Sequence, residues 1–139
     1  GCNYYRYKLM STLKVNTIQN TNGGSSSTPE QIEQGRAKAW VEFLGQGSAT
    51  EKIVSFGVSS VDRRSNGNYT VNFSSNFSNT NYAVFATSGA NIDDFEDNDA
   101  IDNIAIVLNK FVDKVYIGCG DLDNGVPDDQ DRISVIIFA

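Results

Sequence analysis

"NYTVNFS", residues 68–74, places Tyr69, Val71 and Phe73 on one side of an extended chain and Thr70, Asn72 and Ser74 on the other. A period of two in β-branched and aromatic residues is the signature of a strand with one face buried. Asn66-Gly67 stands just before it, the dipeptide that favours a tight hairpin turn. The stretch therefore predicts the second strand of an antiparallel hairpin.

The same period runs outward in both directions. "AKAWVEF" sets Ala39, Val41 and Phe43 against Lys38, Trp40 and Glu42. "EKIVSFGVSSV" continues with Val54, Phe56 and Val58 on one side. "YAVFATSG" puts Tyr82, Val84 and Ala86 opposite Ala83 and Phe85. "NIAIVLN" and "KVYIGCG" read as a strand pair or one bent strand. "RISVIIFA" closes the chain with Ile133, Val135 and Ile137 opposite Ser134, Ile136 and Phe138. Six to eight short strands separated by Gly, Asn and Asp turns predict an all-β protein, an antiparallel β-sandwich or jelly-roll-like body.

Composition narrows the chemistry. The 139 residues include no histidine, which removes the usual general base and the commonest metal ligand. Ser-His and Cys-His nucleophile systems are excluded, and a non-catalytic role is expected. A formal net charge of −6 argues against a nucleic-acid partner, which needs a basic face. No run of 18 apolar residues is present, so no membrane insertion through a helix is expected. Cys2 and Cys119 lie near opposite ends and form no disulfide framework. Cys119, between glycines in an apolar strand, reads as a small buried hydrophobe.

The residues Lys38-Ala39-Trp40-Val41, Phe43 and Gly45-Gln46-Gly47 resemble a small domain of virion appendage proteins of marine bacteriophages. The likeness continues through Phe56-Gly57-Val58-Ser59-Ser60, Asn66-Gly67, Asn68 to Phe73 and Asn81-Tyr82-Ala83. The lead "MSTLKVNTIQNTNGG" is similar to the family's opening. Glu42 and Leu44 stand where that family often has asparagine. The resemblance implies a tail-fibre or receptor-binding protein of the virion, with a capsid or neck decoration protein as the alternative. It also implies a homotrimer, contacts with other virion proteins, and a host surface glycan or protein as the bound partner. The Tyr-, Asn- and Ser-rich strands suit such contacts, since they offer hydrogen bonds and flat faces.

Residues 1–28 are expected to form an attachment and oligomerisation segment, and 29–139 the sandwich domain. Leu13-Lys14-Val15-Asn16-Thr17 alternates like a strand, and "NTNGGSSS" (20–27) is a flexible link. Leu13 and Val15 would each contribute about 1.5–3 kcal/mol if buried. Ile18 is out of phase and would pack on the other side. Their partner is expected on another polypeptide; the alternative is an extra edge strand on the chain's own sandwich. Thr28-Pro29-Glu30-Gln31 predicts a short helix at about 29–34, with Thr28 as cap and Gln31 closing a capping box.

Two acidic loops carry the remaining candidates. In "DLDNGVPDDQDR", Asp121, Asp123, Asn124, Asp128, Asp129 and Asp131 can supply the six oxygens that calcium needs. Asp121 and Asp123 are one residue too close to Gly125 for a regular calcium repeat, so a solvated turn is the competing reading. "NIDDFEDNDAID" (91–102) is similar. No other cofactor is expected. Trp40 is either a sugar platform or, as is more usual for a lone tryptophan at strand spacing, a core or interface residue.

Overall fold

The computed structural model describes residues 12–46, 50–89, 103–121 and 125–139. They fall into two compact units, residues 1–35 and residues 36–139.

In the first unit, β1 (Ile18–Gln19) pairs antiparallel with β2 (Ser26–Ser27). Gly23, at φ 79°, makes the turn between them and donates its N–H to the Asn20 carbonyl at 3.1 Å. Helix α1 (Pro29–Gly35) follows. Its capping box is reciprocal: Gln31 N–H donates to Thr28 Oγ1 at 3.2 Å, and Thr28 N–H to Gln31 Oε1 at 2.9 Å. These bonds satisfy donors that the first helical turn leaves free. No described residue of this unit is buried. The expected strand over Leu13–Thr17 is not formed here: those residues have no β-partner, and pairing starts at Ile18. Alternation alone supplies no ladder hydrogen bonds. The helix belongs by its contacts with this lead segment, so the boundary lies after Gly35.

The second unit is a β-sandwich of two four-stranded antiparallel sheets. Its strands are β3 (Ala39–Leu44), β4 (Glu51–Phe56), β5 (Val58–Ser65), β6 (Asn68–Phe73), β7 (Ala83–Gly89), β8 (Asn103–Lys110), β9 (Lys114–Asp121) and β10 (Arg132–Phe138). The first sheet runs β4-β3-β10-β7 and the second β5-β6-β9-β8. Neighbours in sequence pair as hairpins at β3–β4, β5–β6 and β8–β9, while β10 returns to lie between β3 and β7.

The core forms as the period of two predicts. Ala39, Val41 and Phe43 face Ile133, Val135 and Ile137 within the first sheet. Tyr69, Val71 and Phe73 with Val115, Ile117 and Cys119 line the second. Phe43 and Tyr69 meet edge to face across the sandwich, ring centroids 5.3 Å apart.

One expectation fails at Gly57. Val54, Phe56 and Val58 do not share a side: Val58 is buried, whereas Val54 and Phe56 are exposed. Gly57, at φ 67°, carries the chain from one sheet to the other and breaks the phase. A Cβ there would stand 2.6 Å from the Lys38 carbonyl oxygen, so the corner excludes other residues. The Asn66-Gly67 turn forms as expected, with Gly67 at φ 64°.

Candidate functional site

The outward side of the first sheet leaves a row of large apolar side chains open to water, as β8 does on the second sheet with Ile106 and Leu108. Register aligns Phe56 with Trp40, Trp40 with Ile136, and Ile136 with Phe85, one residue from each of the four strands. Residues directly opposite across strands point to the same face. They form a single row about 14 Å wide, from three strand spacings of about 4.8 Å. Phe85 is 62% exposed, Phe56 56% and Ile136 41%, and Trp40 is half-buried between its neighbours. Phe138 packs edge-on against Phe85 at 6.2 Å and extends the patch.

The next row is polar on β3, β10 and β7 and apolar on β4, where Val54 lies opposite Glu42. Glu42 lies opposite Ser134, and Ser134 opposite Thr87. Arg132 Nη1 donates to Glu42 Oε1 at 2.9 Å, so the charges beside the aromatic row neutralise each other. An aromatic centre with a polar rim has the anatomy of an interface. The outward side of the second sheet differs. Its β5–β6 half is polar, with Asn72 Nδ2 donating to Ser60 Oγ at 2.9 Å and to Asp62 Oδ2 at 2.6 Å. Arg64 stacks over Tyr116 at 4.1 Å.

The loop before β10 has a structural task. Asp129 accepts from Arg63 Nε at 2.7 Å, from the Tyr69 hydroxyl at 2.7 Å and from Gly67 N–H at 2.8 Å. Arg63 Nη2 stands 2.6 Å from the same carboxylate. Asn66 Nδ2 donates to the Pro127 carbonyl at 2.9 Å and to Asp128 Oδ1 at 3.2 Å. The loop is thereby pinned to the Asn66-Gly67 turn. Burial pushes the Asp129 carboxyl upward, but its bonds from Arg63, Tyr69 and Gly67 outweigh that and hold it below the ordinary carboxylate range. Burial, then Asp129, raises the Tyr69 hydroxyl well above its usual value. Burial, with Asp129 nearby, pushes the Cys119 thiol up to about 12, so it stays protonated and inert.

Of the calcium candidates, Asp123, Asn124 and the Asp121 side chain lie outside the described residues, as does the acidic loop 91–102. Asp128 is hydrogen-bonded to Asn66, and Asp129 would have to give up an ion pair to take a cation. Among the described residues, no three acidic or sulfur side chains converge.

Leu13, Val15 and Ile18 come together within the lead unit. With Ile32 they line an open cleft of about 580 Å³. Leu13 is 82% exposed, Ile18 52% and Ile32 46%. Sequence reasoning found these three and Trp40 but missed Phe56, Phe85 and Ile136. The missed signal was in "RISVIIFA". A strand with Ile136 and Phe138 facing away from Ile133, Val135 and Ile137 is apolar on both sides, and its outer face is not an ordinary wet surface. Comparison with protein-family models, curated proteins and solved structures finds no match for this chain.

Proposed function

We infer that this chain is a non-catalytic virion component, the outward-facing module of a phage tail fibre. In this reading it works as a homotrimer and meets a host-surface glycan or protein through the outer face of the first sheet. The observation that carries the reading is the position of Trp40. Most residues of the appendage-like pattern are spent on packing: Ala39, Val41, Phe43, Tyr69, Val71 and Phe73 fill the core, and Gly57 and Gly67 make corners. Trp40 points the other way, at the centre of the exposed aromatic row. Tryptophan stacks on the apolar face of a sugar and anchors protein contacts equally well.

Labelled antibody against the protein, imaged on virions, tests the location. Label at the tail is expected. Label on the capsid or neck replaces this reading with the decoration alternative, and bare virions overturn both. The same reading expects Trp40→Ala and Phe85→Ala to cut binding of the soluble protein to host cells at least tenfold. Phe85 is 62% exposed, so the thermal midpoint of F85A should hold, whereas half-buried Trp40 gives up cross-strand contacts and W40A should melt lower while staying folded. Unchanged binding in F85A and in folded W40A would remove the receptor role.

A further inference from the structure

We propose that residues 12–17 of one copy add as a fifth strand to the free edge of β4 in a neighbouring copy, joining protomers head to tail. The inference stands apart from the virion reading, since it rests on two halves of an unfinished ladder.

The first half is β4. It closes the first sheet at one side and has a backbone partner only in β3 among the described residues. The other three sheet edges have close neighbours in place of ladder partners. Strands β7 and β8 lie against one another. The β5 carbonyls of Val58 and Ser59 accept from Lys52 Nζ at 3.5 and 2.7 Å, and that of Val61 accepts from Thr50 Oγ1. Natural edges are guarded by proline, by outward lysine or by a bulge. Strand β4 has no proline and its lysine is turned to β5; its bulge, where Ile53 stands between the Glu42–Val54 and Phe43–Lys52 pairs, protects only the first half of the strand. Val54–Phe56 remains regular, with Val54 45% and Phe56 56% exposed.

The second half is the lead segment. Thr12–Thr17 carries a strand pattern and no β-partner. An antiparallel register with Val15 opposite Val54 and Leu13 opposite Phe56 puts both apolar pairs on the outer face. The aromatic row then gains Leu13 as a fifth member. Charge points to the same occupant. The lead unit, residues 1–35, holds Arg6, Lys8 and Lys14 against Glu30 and Glu33, whereas residues 36–139 hold eight basic and fifteen acidic side chains. Lead and body attract, while body and body repel. A contact between different surfaces of identical chains closes into a ring when its rotation allows.

Two chains test this, one carrying Leu13→Cys and the other Phe56→Cys, both with Cys2→Ser. Mixed and oxidised, they should give a disulfide-linked pair of unlike chains; buried Cys119 does not compete. Absence of the mixed pair overturns the proposal. So does a double variant that closes within single chains. A second variant, Val54→Lys, places an outward lysine on an exposed site. Sedimentation should show oligomeric wild type and at least tenfold weaker association of V54K, with equal thermal midpoints at dilutions where neither protein associates. Monomeric wild type, or unchanged association in V54K, overturns the contact. A linked ring that binds no host surface would remove the tail-fibre function and leave this contact standing.

Discussion

Leu13–Thr17 and Tyr69–Phe73 carry the same period of two, and the fold treats them oppositely. The second stretch is hydrogen-bonded on both sides, to β5 and to β9, and buries Tyr69 and Val71 completely. The first has no ladder, and Leu13 is left 82% exposed. Ordering a residue costs about 1–2 kcal/mol of backbone entropy whatever its side chain. Alternation therefore states which face would be buried; a neighbouring strand decides whether it is. Within one chain the strand pattern of the lead goes unused, whereas that of β6 is paired on both sides.

The largest expected effect removes a finished contact. Phe43 is fully buried and packs on Tyr69. Phe43→Ala should destabilise the body by about 3–5 kcal/mol, since it forfeits transfer energy and opens a cavity. A thermal or urea melt measures it. A loss below about 1 kcal/mol would mean that the two sheets are not held by this layer, and the contrast with the lead would collapse.

A smaller effect comes from the polar clamp at the end of the body. Asp129→Asn leaves Arg63 without its anion and should cost about 1–3 kcal/mol near neutral pH. The clamp also predicts a pH dependence of definite sign. The folded Asp129 carboxyl titrates below its ordinary value of 3.8. Its contribution is therefore complete above about pH 4 and drains away as pH falls toward the folded value. Wild type should lose stability over that interval, and D129N should lose less of it. Equal slopes in denaturant melts between pH 5 and pH 2 would show that Asp129 is not the titrating link.

The core, the hairpin at Asn66-Gly67 and the capping box at Thr28 were legible because each is local. Period, turn dipeptide and cap residue all act within a few positions. The outer row was illegible for the opposite reason. Phe56, Trp40, Ile136 and Phe85 come from four separate strands, and only the register of the first sheet brings them side by side. The error at Val54, Phe56 and Val58 has a related cause. Gly57 was read as a step along one strand, whereas its positive φ makes it the corner between sheets. Asp129 resembled a calcium ligand because a carboxylate's partner is invisible until Arg63 and Tyr69 are placed beside it.

The smallest effect on stability belongs to the lead and separates the two regions most sharply. Leu13→Ala removes a large apolar side chain, as Phe43→Ala does, but from a site open to water. Exposed substitutions away from caps and turns usually change stability within about 0.5 kcal/mol. At a protein concentration too low for association, the melt of L13A should overlay wild type within that margin. At a concentration where copies associate, wild type alone should gain stability, because anything that binds only the folded state raises its apparent midpoint. The gap between the two proteins should then widen with concentration. A gap already present at high dilution would mean that Leu13 is buried by its own chain, making the lead a finished contact after all.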